Sequence, residues 1–124
     1  MAISAVDIAL WDLKARALGV PLWTLLGGHD ARVPCYAGGI DLDFPLDKLL
    51  AQTDDNLKKG FHAIKMKVGR PQLSEDVARV KAMREHLGPD FPLMVDANMR
   101  WTPDEAIRAA RALQPYQLVW LEEP

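Results

Sequence analysis

The sequence predicts an α/β fold in which parallel strands alternate with helices. Three observations carry this expectation. Four β-like runs, "VPCYAG", "AIKMKV", "FPLMVDAN" and "QLVWLEEP", recur along the chain, and the stretches between them have helical periodicity. The repeat is even: 29 residues separate Lys67 from Asp96, and 26 separate Asp96 from Glu122. Units of this size accommodate a helical crossover between parallel strands. Polar side chains also collect at the C-terminal ends of the runs, where α/β folds place their sites. A doubly wound open sheet and a (β/α)8 barrel both use such units. A complete barrel takes roughly 250 residues, so four strands correspond to its first half.

The elements follow in order. Ile3, Val6, Leu10, Leu13 and Ala17 recur with the period of a helix over residues 3–18. Gly19 suits the position past its end, and Pro21 prevents continuation. "PLWTLL" reads as a short second helix closed by Gly27 and Gly28. Residues 1–30 are thus expected to form a helical segment leading into the barrel, and residues 31–124 a partial barrel cut off after its fourth strand. The first strand spans 33–38. A helix over 44–60 places Leu46, Leu49, Leu50, Thr53 and Leu57 on one side, with Gly60 as its stop. After the second strand, Ser74 is expected to cap a helix whose first turn holds Glu75 and Asp76 and which Gly88 ends. The third strand covers 91–98. Thr102 and Glu105 then have the spacing of a capping box, with Pro103 in the first turn of a helix reaching Leu113. The fourth strand spans 117–124.

Composition narrows the function classes. The chain is 49% hydrophobic and 26% charged, with net charge −2 and a pI near 5.9. There is no basic footprint for nucleic acid or an anionic membrane. No apolar run is long enough to span a bilayer. The N-terminal stretch, interrupted by Asp7, Asp12 and Lys14, does not read as a signal peptide. Cys35 is the only cysteine, so no disulfide forms within the chain, and a cytoplasmic protein is expected. Cys35 itself is expected in the core.

Strand parity concentrates the chemistry. Lys65 and Lys67 share one face of their strand, with Ile64, Met66 and Val68 on the other. Asp96 and Asn98 share a face with Met94, opposite Leu93 and Val95; Glu122 shares one with Trp120. Two lysines, two carboxylates and an amide therefore converge on one mouth. Buried charges are costly unless they pair or bind a metal, and hard oxygen ligands suit Mg²⁺. By parity Glu123 is structural. His29, His62 and His86 lack metal spacing. Asp41 and Asp43 are near the site in position but unspecific, and Arg100 and Trp101 either line the mouth or pack at a helix entry.

"AIKMKVG", "MVDAN" and "WLEEP", in this order and spacing, resemble the enolase superfamily, in its mandelate racemase/muconate lactonizing enzyme branch. The leading "AISAVDIALWDLKARALGVPLWTLLGG" is similar to the segment that precedes the barrel there. The resemblance implies that Asp96 and Glu122 are two of three Mg²⁺ ligands, with the third expected beyond residue 124. It implies that Lys67 is the base removing the proton α to a substrate carboxylate. Lys65 would contact that carboxylate and lower the pKa of Lys67 by like-charge repulsion. Asn98 would bind substrate or the metal's surroundings. A Lys or His base working beside Mg²⁺ is the established pattern of this same superfamily. The implied substrate is a small carboxylate such as an acid sugar, the implied enzyme a homo-oligomer, and dehydration the expected outcome. Racemisation, epimerisation and cycloisomerisation are the alternatives within the branch. The resemblance also implies an internal fragment, inactive alone, that lacks the capping domain. Two rivals remain: a barrel enzyme with a Schiff-base lysine, and a non-catalytic half barrel serving as an assembly module.

Overall fold

The computed structural model describes residues 2–124. It divides into two compact units, one ending at Pro34 and the other running Cys35–Pro124.

The first unit is helical. Helix α1 spans Ala2–Ala17 and α2 spans Leu22–Leu25. Gly19, at φ 67°, reverses the chain after α1. The amides of Gly19 and Val20 donate back to the carbonyls of Arg16 and Ala15, both at 3.1 Å. This is the Schellman arrangement, and only glycine takes it without strain. The apolar stripe expected to be buried is not covered: Ile3, Val6, Leu10 and Leu13 are all exposed, and Ala15 alone is buried.

The second unit is a four-stranded parallel sheet. In chain order it contains β1 (Ala37–Gly38), α3 (Leu46–Lys58), β2 (Ile64–Lys67), α4 (Leu73–Leu87), β3 (Leu93–Asp96), α5 (Pro103–Leu113), a 3-10 turn (Gln114–Tyr116) and β4 (Leu121–Glu122). The strands lie in the order β1-β2-β3-β4, each parallel to the next. A doubly wound sheet reverses its strand order and carries helices on both faces. Here the order never reverses, and Leu49 of α3, Val80 and Met83 of α4 and Leu113 of α5 enter a single core. Ile64, Met66 and Val68 and then Leu93, Val95 and Ala97 supply the sheet side of that core. The helices thus cover the Ile64, Met66 and Val68 face of β2, opposite the lysines. Each fully buried aliphatic side chain there is worth about 1.5–3 kcal/mol.

Three local expectations need correction. The first strand is two residues long rather than six: Pro34 lacks a donor and the chain before Ala37 has no ladder partner. The fourth begins as a strand only at Leu121, although the Val119 amide already donates to Leu93 at 2.9 Å. Ser74 is not a cap. Helix α4 starts two residues earlier than that cap implies, at Leu73, and its cap position, Gln72, makes no side-chain bond. The capping box of α5 forms as expected: the Thr102 hydroxyl accepts from the Glu105 amide, and the Thr102 amide donates to Glu105 Oε2 at 2.8 Å. Cys35 is exposed, because it precedes the sheet rather than lying within it.

At the N-terminal end of the strands, the Arg84 guanidinium ties two loops together. It donates to the carbonyls of Gly88 and Phe91 before β3, and to those of Tyr116 and Gln117 before β4, at 2.6–3.1 Å.

Candidate active site

The opposite end of the sheet carries the charged residues. Register explains why they meet. Lys65 lies beside Met94 and Lys67 beside Asp96, while Asp96 lies beside Glu122. Side chains alternate along each strand, so Lys65, Lys67, Asp96 and Glu122 all project from the face opposite the helical core. The structure brings these four together. Lys67 Nζ donates to Asp96 Oδ2 at 2.7 Å. Lys65 Nζ bridges both carboxylates, at 2.8 Å from Glu122 Oε2 and 3.4 Å from Asp96 Oδ2. Trp120 Nε1 also donates to Glu122 Oε2, at 3.0 Å, which shows that Trp120 and Glu122 share a face. Tyr36 packs edge-on against Trp120 with ring centroids 5.6 Å apart, and its ring lies 5.2 Å from Lys65 Nζ.

The charge states follow from these contacts. Burial is the largest influence on Lys65 and opposes its ionisation, yet the hydrogen bonds and charge interactions with Glu122 and Tyr36 together outweigh it and hold the ammonium above the ordinary lysine range. Burial likewise pushes Asp96 up, but the Lys67 hydrogen bond and the Asn98 amide prevail, and its carboxyl sits below the usual carboxylate range. Glu122 is also lowered, first by Lys65 and then by Trp120.

Asn98 departs from simple parity. The chain leaves the strand at Asp96, and Asn98 adopts the left-handed conformation at φ 49°. Its amide nitrogen donates to Asp96 Oδ1 at 2.9 Å, so its backbone steadies the carboxylate. The side-chain amide turns to Glu123 Oε2 at 3.4 Å. Arg100 and Trp101 line a cavity of about 400 Å³ together with Gly69, Arg70 and Arg108, none of which belongs to the charged cluster.

Two carboxylates around a shared cation suit a divalent ion. The Lys65 ammonium sits between Asp96 and Glu122 as a monovalent stand-in, and the donor oxygens are the hard type Mg²⁺ prefers. Among the described residues, no three His, Cys, Asp or Glu side chains gather around one point. Asp96 and Glu122 supply two such donors side by side.

Sequence reasoning undervalued Asp41. Its side chain is buried and reaches the site from the loop after β1. Oδ1 accepts the backbone amide of Lys67 at 2.8 Å, and Oδ2 accepts from Gln52 at 3.2 Å. Arg79, from α4, has no counterpart among the sequence expectations. It donates to the Asp41 carbonyl at 2.6 Å and to the Lys67 carbonyl at 3.2 Å. An arginine amid the apolar pattern of α4 was the available signal.

A parallel sheet wound in one sense, with paired lysines and carboxylates at its C-terminal end, defines a barrel-type enzyme class. Residues 48–124 match the enolase C-terminal domain-like family, and residues 1–27 match the N-terminal domain of mandelate racemase/muconate lactonizing enzymes. The chain belongs to this branch of the enolase superfamily. It is 68% identical over 123 residues to the 3,6-anhydro-alpha-L-galactonate cycloisomerase of Streptomyces coelicolor, covering 99% of this chain and 34% of that protein. It is 49% identical to the L-talarate/galactarate dehydratase of Salmonella typhimurium, covering 99% of this chain and 31% of the other. Among solved structures, a Streptomyces coelicolor racemase with bound magnesium superposes with a TM-score of 0.93 at 67% identity, over 99% of this chain and 37% of its own. L-talarate dehydratase from Polaromonas, complexed with Mg and L-glucarate, gives 0.81 at 45% identity, over 95% of this chain and 33% of its own. The chain spans about a third of the length of the curated relatives it matches.

Proposed function

We propose that this chain supplies the general base and two Mg²⁺ ligands of an enzyme that removes the proton α to the carboxylate of an acid sugar. The contact of Lys65 and Lys67 with Asp96 and Glu122 at one sheet end carries this reading. Lys67 is the base: its amine takes the α-hydrogen as a proton, and the C–H electron pair moves into the carboxylate to give an enediolate. An α-proton beside a carboxylate is very weakly acidic, and bound Mg²⁺ supplies the positive charge that stabilises the developing dianion. Asp96 and Glu122 would hold that ion, with a third ligand beyond residue 124. Lys67 Nζ donates to Asp96 Oδ2 at 2.7 Å, which keeps the two groups side by side. Lys67 would act as base in its neutral amine form, beside Asp96 as a ligand. Lys65 would receive the substrate carboxylate, and Asn98 would contribute through its backbone amide on Asp96, since its side chain turns to Glu123. The reading includes a cytoplasmic homo-oligomer.

Dehydration, with loss of the β-hydroxyl from the enediolate, is the outcome the sequence reading expects. Cycloisomerisation is the second reading, favoured by the 68% identity to a cycloisomerase. The products separate them, because dehydration removes the mass of one water and cycloisomerisation leaves the mass unchanged. The base assignment is tested in a chimera in which residues 1–124 replace the matching third of the Streptomyces cycloisomerase. Lys67→Ala in this chimera abolishes Mg²⁺-dependent exchange of the substrate α-proton in D₂O. Undiminished exchange would refute the assignment. Borohydride trapping of a lysine adduct would instead support Schiff-base chemistry.

A further inference from the structure

The ladder on the β1 side of β2 ends early. Ile64 and Val68 turn their amides toward β3, donating to Pro92 and Asp96. By alternation Lys65 and Lys67 turn theirs toward β1. Strand β1 stops at Gly38, which lies beside Lys65. The next residues leave the sheet, and Ile40 is 92% exposed. Lys67 would therefore have no strand partner on that side.

Two side chains take the place of the missing strand. Asp41 Oδ1 accepts the Lys67 amide at 2.8 Å, and Arg79 Nη1 donates to the Lys67 carbonyl at 3.2 Å. Arg79 Nη2 donates to the Asp41 carbonyl at 2.6 Å, which joins the two halves of the clamp. Asp76 continues it, with Oδ2 accepting the amides of Gly69 and Arg70 at 2.8 and 3.0 Å. Asp41, Asp76 and Arg79 are all buried. Arg79 Nε and Asp76 Oδ1 have no partner among the described residues. A buried ion cluster with orphaned atoms contributes little net stability. It does fix geometry, and it fixes it around the backbone of Lys67 and the turn that follows.

We propose that Asp41 and Arg79 are positioning residues for Lys67, holding its backbone amide and its backbone carbonyl and so setting where its amine sits. The proposal rests on the reading of Lys67 as the base. A misplacement of about 1 Å in a reacting group can cost roughly 100-fold in rate.

The test has two readouts. In the 124-residue chain, Asp41→Ala speeds hydrogen exchange at the Lys67 amide about tenfold, as loss of a single buried hydrogen bond implies. The amide of Val95, in the core of β3, stays within about twofold. Asp41→Asn keeps an acceptor oxygen and restores most of the protection. In the chimera, Asp41→Ala lowers kcat for α-proton exchange about 10- to 100-fold with KM little changed, and Asp41→Asn recovers most of it. Unchanged Lys67 exchange overturns the proposal, as does an equal rise at Val95 or an asparagine variant no better than alanine. Should Asp41→Ala fail to fold, Gly39→Ala serves instead. A Cβ at Gly39 would clash first with Gln52 Nε2 and then, at 2.6 Å, with Asp41 Oδ2, the oxygen that Gln52 holds, so it would disturb the seating of the carboxylate without removing its charge. Selective exchange at Lys67 is again the expected result, and its absence is fatal. Failure of the base assignment is read separately, from Lys67→Ala with normal substrate exchange. That result leaves the amide data intact and removes only the catalytic meaning of the clamp.

Discussion

β2 and β3 differ from the strands that flank them. They pair with each other over four residues, and each has a second neighbour, whereas β1 and β4 contribute two residues each. Lys65, Lys67 and Asp96 stand on the inner pair. Glu122 stands on a flank, with its side chain 35% exposed against 3% for Asp96. Of these four charges, the most deeply buried sits where the backbone is hydrogen-bonded on both sides and cannot yield. A flank tolerates a more solvated ligand because water screens it and little packing depends on it.

The comparison can be broken most directly in the core. Met66→Ala, at a fully buried position of β2, is expected to cost about 2–5 kcal/mol in urea denaturation of the chain. Val119→Ala, beside β4 and 56% exposed, is expected to cost less than about 0.5 kcal/mol. Similar costs would mean that the inner strands are no stiffer than the outer.

The carboxylates come next. Asp96→Ala strips Lys67 of its partner and Lys65 of one of two, an expected loss of about 1–3 kcal/mol. Glu122→Ala leaves Lys65 with Asp96 and is expected to cost less than Asp96→Ala in the same denaturation. The reverse order would sink the distinction. Thr102→Ala removes the cap of α5, the helix that carries the chain from β3 to β4, and is expected to cost about 1 kcal/mol.

The smallest expected effect lies in the pH dependence. Asp96 and Glu122 both titrate below their unperturbed values of 3.8 and 4.5. At these two groups the unfolded chain binds more protons than the folded one as pH falls through this region, so the stability they contribute is full above about pH 4.5 and declines below it. Urea midpoints between pH 3 and 6 should show that slope, and Asp96→Asn should flatten it more than Glu122→Gln. Equal slopes in the two variants would place both carboxylates in the same surroundings.

Much of this was legible in the sequence. The alternation in "AIKMKV" and "LMVD" states which side chains face the helices, because a strand buried on one face admits one register. Thr102, Pro103 and Glu105 declare a helix start through local chemistry alone. The cluster of Lys65, Lys67, Asp96 and Glu122 followed from parity together with even spacing. The clamp did not. Asp41 and Arg79 are 38 residues apart, and nothing local pairs them; they meet because β1 ends early, which is itself a matter of how far a short strand finds partners. Ser74 misled because the Leu73 start of α4 is set by Asp76 turning back to the Gly69–Arg70 amides. The stripe on α1 has a helix's period, but periodicity names a face and does not supply what covers it.

Arg84 lies at the pole farthest from the chemistry and fastens the loops before β3 and β4 with four hydrogen bonds from one side chain. The strand starts are therefore anchored by a residue that takes no part in the site. Loops at the catalytic pole can change sequence without disturbing where those strands begin. Such a division lets one inherited frame diversify its reactions, as the cycloisomerase, the dehydratases and the epimerases among its relatives do.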